Sequence, residues 1–210
     1  MIPLESLLTF LFASVLLGLA PGPDNIFVLT QSALYGRKEG LMVTLGLSSG
    51  LIFHTTAVAF GVAAIFKASV LAFTILKIVG AAYLLYLAWQ AFTASASKME
   101  GDKNNKLSAS KLYLRGIIMN VTNPKVSIFF LAFLPQFAVP ANGPVAQQIM
   151  FLGFLFILVT LVVFGGIALL AGTLGNWFNR SPKAQVYLNR IAGTVFVGLA
   201  IKLATARSTA

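Results

Sequence analysis

Leu19-Ala-Pro-Gly-Pro-Asp-Asn25 decides how the rest of this 210-residue chain is read, because it sets two prolines, a glycine and a carboxylate inside an otherwise apolar region. Proline removes a backbone donor and clashes with the preceding turn, so Pro21, Gly22, Pro23, Asp24 and Asn25 predict a broken helix. Unwound backbone at bilayer depth is tolerated only where protein or a water-filled cavity surrounds it, and an acid embedded there marks a functional site.

The flanking residues place this break in a membrane. The composition is 58% hydrophobic and 10% charged, which excludes an ordinary soluble globule with a polar exterior. At about 20 residues per crossing, six spans account for nearly the whole chain. The expected fold is an all-α polytopic membrane protein forming a single domain over residues 1–210. Within it a first three-helix unit covers 1–92, a cytoplasmic linker 93–111 and a second unit 112–210. The N-terminus has no basic region and no small-residue cleavage site, so the first apolar run reads as a retained helix. Zero cysteines remove disulfides, thiolate metal sites and cysteine nucleophiles from consideration. The net charge of +10 lies in short loops beside apolar spans, which fits the positive-inside bias of membrane proteins and not nucleic-acid binding.

The first span, Leu4 to Tyr35, would be about 48 Å long as a straight helix, too long for a core about 30 Å thick, and the break resolves the excess. The second runs from about Gly40 to Phe66. Gly46, Gly50, His54 and Gly61 share a face within about 80°, which predicts a small-residue packing surface, while Thr44, Ser48 and Thr55 gather elsewhere. The third, about Val70 to Phe92, ends in Tyr86, Trp89 and Gln90, read as an interface belt. The polar stretch Thr93 to Lys111 is a solvated linker. The fourth span, about Leu112 to Phe137, contains Asn120, Asn123, Pro124 and Lys125 and reads as a second broken helix. The last two cover about Gln147 to Leu174 and Tyr187 to Ala204.

Ten Lys and Arg side chains fall in the loops after spans one, three and five: Arg37, Lys38, Lys98, Lys103, Lys106, Lys111, Arg115, Arg180, Lys183 and Arg190. The opposite side has three, Lys67, Lys202 and Arg207. That asymmetry puts both termini outside, while the C-terminal pair leaves a five-span alternative open. The halves resemble each other: Leu76-Lys-Ile-Val-Gly80-Ala-Ala-Tyr83 aligns with Asn189-Arg-Ile-Ala-Gly193-Thr-Val-Phe196, and Pro23 corresponds to Pro124. Three spans per repeat is odd, so the second copy is inverted. Proline-interrupted helices at matching positions of inverted repeats point to a secondary transporter's midplane site.

The candidate residues carry two readings each. Asp24 could cap the second half-helix, or pair with a substrate ammonium and exchange protons. Asn120, Asn123 and Ser127 share one helical face, suited to interhelical bonding or to lining a cavity. Lys125 points away from them on an ideal wheel and would either line the cavity after redirection by Pro124 or snorkel to the lipid edge. His54 could carry protons or bridge two helices. Lys77 and Arg190 read as interface anchors. No metal cluster, catalytic triad or phosphate loop appears, so no cofactor and no enzymatic activity is expected.

Together with Gly50-Leu-Ile-Phe-His54, Asn123-Pro-Lys125 and Phe129-Phe-Leu-Ala-Phe-Leu-Pro-Gln136, the opening motif makes the whole chain similar to the lysine exporter superfamily, of the homoserine/threonine exporter (LysE/RhtB) type. The resemblance implies a six-helix bacterial inner-membrane exporter of amino acids or close derivatives driven by protons. Members commonly carry an acid beside the span-two histidine, which Gly50 to Phe53 lacks. That leaves Asp24 as the only embedded acid. A passive channel or a non-transporting membrane subunit remains the alternative, and homo-oligomer formation stays open.

Overall fold

The computed structural model describes residues 2–68, 70–95 and 106–205, and within them the side chains outside 62–68, 70, 72–73, 172–180 and 182. The charges assigned above to Lys67, Lys98, Lys103, Arg180 and Arg207, and linker positions 96–105, lie outside the described residues. What is described is helical: α1 (Leu4–Leu19), α2 (Pro23–Tyr35), α3 (Arg37–Ala68), α4 (Val70–Thr93), α5 (Ala109–Val121), α6 (Pro124–Ile128), α7 (Val145–Arg180) and α8 (Pro182–Thr205). Four helices hold a stretch long and apolar enough to cross a membrane. Two bent pairs, α1 with α2 at 58° and α5 with the segment from Pro124 to Phe137 at 49°, raise the total to six if each pair is one crossing.

Both breaks fall at prolines, but the first is tighter than expected. Helix α2 already begins at Pro23, where a proline's fixed φ and missing N–H suit the first helical position, so only Ala20 to Gly22 is unwound. The second break is followed by a graded segment. Five residues of α-helix give way to a π turn over Phe129–Phe133 and a 3₁₀ turn over Leu134–Phe137, where Pro135 cannot continue an α ladder. The wider turn directs Phe129, Phe130 and Phe133 into the core, where they meet Phe10, Phe137 and Phe156 at centroid separations of 4.9 to 6.4 Å. Edge-on and tilted contacts of this kind hold the first half of the first pair against the last turns of the second.

Glycine contacts fix how the helices run. A Cβ on Gly46 would strike the Tyr113 carbonyl and one on Gly50 would lie 2.8 Å from Asn120 Cβ, so α3 and α5 advance together and are parallel. Gly40 meets Ala168 and Gly153 meets Thr55, so α3 and α7 are antiparallel. Gly80 meets Leu203 and Gly193 meets Phe92, so α4 and α8 are antiparallel too. The small face predicted on span two is therefore a packing face at Gly46 and Gly50. It ends before Gly61, which has no described neighbour within 4 Å. Helices α2 and α3 form a hairpin whose turn is Gly36, at φ +117°, a left-handed geometry that favours glycine. At the same end Lys106 Nζ lies 2.7 Å from Glu39 Oε1, bringing the start of the second half beside the start of α3.

Candidate functional site

Four half-helix ends converge where the two bent pairs cross. Asn123 supplies the join. Its Oδ1 accepts the backbone N–H of Lys125 at 3.0 Å, capping α6, and its Nδ2 donates to Asp24 Oδ2 at 2.9 Å across the two breaks. Asp24 does not act as the cap considered from sequence. The N-cap of α2 is Gly22, without a side-chain cap bond, and Asp24 stands in the first turn at 3% exposure with Oδ1 unpartnered. A carboxylate there complements the positive end of α2.

Lys125 is buried at 9% exposure and does not snorkel. Its Nζ donates to the carbonyls of Leu17 at 3.3 Å and Ala20 at 3.0 Å. These are carbonyls at the C-terminal end of α1, left open because the chain unwinds after Leu19, and a cation is favoured at that negative end. The direct Asp24–Lys125 pairing considered from sequence is replaced by this arrangement, in which Asn123 takes the carboxylate and the α1 terminus takes the lysine. Asn25 Nδ2 likewise donates to the Gly18 carbonyl.

His54, also buried, hydrogen-bonds through Nε2 to the Asn120 carbonyl at 3.1 Å, a bond that needs the proton on Nε2, and packs on the Phe130 ring at 5.6 Å. It bridges α3 to α5. Ser127 Oγ donates back to the Asn123 carbonyl at 3.0 Å and Asn120 is buried against Gly50, so the predicted polar face is present and turned inward.

A cavity of about 300 Å³ opens on the α4/α8 side of the crossing. Pro21, Gly22, Pro23, Asn123, Pro124 and Lys125 form its floor, with Tyr83, Leu87 and Gln90 of α4 and Asn189, Ala192 and Phe196 of α8 as walls. The volume lies at the small end of ligand pockets. Asp24 is not on its wall. A second cavity of about 330 Å³ shares Pro21 and Ala192 but is lined mainly by Leu16, Leu19, Leu188, Ile191 and Val195. The wall residues Tyr83 and Phe196 were not singled out as site residues from sequence. The available signal was the internal repeat, in which these two aromatics occupy matching positions. Gln90, expected in an interface belt, instead donates to Tyr86 Oη at 2.6 Å and reaches the cavity rim.

The apolar helices, the two broken pairs and a polar crossing sealed at its depth define a multi-pass membrane protein of the transporter class. Residues 15–207 match the model of the LysE type translocator family, and the chain belongs to that family. It is similar to the homoserine/homoserine lactone efflux protein of Salmonella typhimurium, at 36% identity over 198 residues, covering 94% of this chain and 95% of the relative. It is 30% identical over 206 residues to the leucine efflux protein of Klebsiella pneumoniae, covering 96% and 95%. An uncharacterized membrane protein of Vibrio cholerae is 33% identical over 201 residues, covering 96% and 97%. No solved structure matches. Family members are transporters and not enzymes, and this chain is a multi-pass protein of the bacterial inner membrane.

Proposed function

We propose that this protein exports a neutral or weakly polar amino acid, or a close derivative, against its gradient, with protons moving inward, by alternating access between two inverted halves. The observation that carries the reading is the convergence of four half-helix ends around an embedded acid and an embedded lysine beside a 300 Å³ cavity. Unwound backbone and helix termini at the bilayer midplane are how secondary transporters hold small charged substrates. In this reading the substrate carboxylate takes the Lys125 ammonium, and the substrate ammonium takes the α1 carbonyls that Lys125 releases. Asp24 serves as the proton carrier.

Inverted halves are supported by the helix directions. The pairing of α3 with α5 has its counterpart in α7 beside α1, where Gly18 meets Val163, while α3–α7 and α4–α8 are like helices packed antiparallel. Lys202 Nζ lies 4.8 Å from the Phe137 ring, so α8 ends beside the end of the second bent pair, which favours six crossings over five. The efflux names of the relatives point to homoserine-like and leucine-like substrates.

The test is efflux of labelled homoserine, threonine and leucine from proteoliposomes under an imposed pH gradient. Uphill, gradient-dependent movement is expected, with the gradient dependence lost in Asp24→Asn. Dissipation without uphill movement would identify a channel instead. Undiminished driven transport by Asp24→Asn would eliminate that residue as proton carrier.

A further inference from the structure

Six side-chain oxygens among the described residues are buried without a hydrogen-bond partner: Asp24 Oδ1, Asn25 Oδ1, Gln31 Oε1, Ser32 Oγ, Ser48 Oγ and Asn120 Oδ1. Buried polar groups are almost always satisfied, so a concentration of orphans in one place calls for a ligand. Three of them, Asp24, Gln31 and Ser32, are on α2. On a helix, positions 24 and 31 lie within about 20° of each other and 32 within about 80° of 24, so they line one side of this half-helix.

The fourth, Ser48, faces them from α3. A Cβ on Gly40 would lie 2.9 Å from Ser32 Cβ, which fixes the register of the α2–α3 hairpin. Carried back at about 1.5 Å per residue on both helices, that register brings Val28 level with Thr44 and Asp24 level with Ser48. The hairpin end carries Arg37 and Lys38, the basic side that faces the cytoplasm. Ser32 and Gln31 are thus one turn in from the cytoplasmic end, and Ser48 and Asp24 are at the break.

We propose that this row is a hydrated proton route through the α2–α3 hairpin, Gln31 and Ser32 to Ser48 to Asp24, separate from the cavity that Lys125 lines. The proposal rests on the proton-coupled reading above. Water is the ligand: a buried water takes about three hydrogen bonds from groups such as these, and a water file conducts protons while excluding an amino acid. The separation has a built-in connection. Asp24 turns one oxygen to the hairpin and the other to Asn123, and Asn123 is itself on the cavity floor. A proton taken up from the Ser48 side weakens the Asn123 bond and so alters the floor on which substrate sits.

The charged groups around Asp24 do not offer a competing route. On α6 Lys125 is held by the α1 carbonyls, on α3 His54 is committed to the Asn120 carbonyl, and α7 carries no ionisable side chain before Arg180.

The experiment uses full-length protein in proteoliposomes with a trapped pH dye and labelled substrate. It compares substrate exchange, which needs no net proton movement, with gradient-driven efflux. Ser48→Ala and Ser32→Ala are expected to leave exchange near wild type while slowing driven efflux and proton uptake about tenfold, and Ser48→Thr, which keeps a hydroxyl, is expected to recover both. Alanine suits a helix and neither hydroxyl donates a side-chain bond that folding would lose, so these variants fold. Coupled transport by both alanine variants at the wild-type rate would overturn the route while leaving the exporter reading intact. Failure of the wild type to concentrate any amino acid would overturn both.

Discussion

The two proline breaks look alike on paper and are built differently. The first is abrupt: three residues unwind, Pro23 restarts the helix at once, and α2 runs on for 13 residues. The second leaves α5 through Asn123, caps the next piece with that side chain and then relaxes through α, π and 3₁₀ turns to Phe137. Each break also carries one charge, and the two charges are not bonded to each other. Asp24 occupies the positive end of its own half-helix, whereas Lys125 occupies the same kind of end, where a cation is disfavoured, and escapes by reaching the negative end of α1. The lesson is that charge placement here is set by helix termini, with Asn123 relaying between them.

Three substitutions test that comparison, from the largest effect to the smallest. Lys125→Met is expected to abolish efflux and to lower stability in detergent by about 3 kcal/mol, because α1 loses its terminal cation and Asp24 is left without a compensating charge. Exchanging the charges in Asp24→Lys with Lys125→Asp is expected to be as inactive as Lys125→Met. Recovery of transport by the exchange would mean that a simple ion pair, and not the helix ends, dictates the placement.

Asn123→Ala removes a cap and the bond to Asp24, so thermal unfolding should report a loss of about 1 to 2 kcal/mol, with exchange weakened but measurable. Equal loss in an Asn123→Asp variant, which keeps the cap but presents a carboxylate to Asp24, would identify the relay and not the cap as the part that matters. His54→Gln is expected to have the smallest effect, about 0.6 kcal/mol, typical of one interhelical bond inside a membrane, with gradient dependence of efflux unchanged. A loss of gradient dependence would bring the histidine into the proton path.

The fold was legible from sequence where a residue type forces the backbone. Pro23 and Pro124 forbid a continuous ladder wherever they occur, and Gly46 and Gly50 sit at a spacing that only close packing rewards. What sequence could not supply was direction after a break. Lys125 lies on the wrong side of an ideal helical wheel, and only the redirected start of α6 turns it toward α1. The π turn at Phe129–Phe133 was hidden for a related reason: its five residues are ordinary helix formers or core aromatics, and the extra backbone width is imposed by the packing of three phenylalanines around Phe10 and Phe156. The cavity walls on α4 and α8 were invisible as a site because Gln90 and Asn189 are more than 60 positions from either break and meet it only in three dimensions.

Gly22 carries a consequence of another kind. Its φ of −172° is extended backbone open to any residue, so conformation does not require glycine there. Space does: a Cβ would lie 3.2 Å from Lys125 Nζ and 3.8 Å from its Cε, pressing the ammonium off the carbonyls that hold it. The identity of residue 22 is therefore dictated by a side chain more than 100 positions downstream. In terms of descent, the two halves of this chain cannot wander apart independently, because a gain of one methyl group in the first is answered by a lysine in the second.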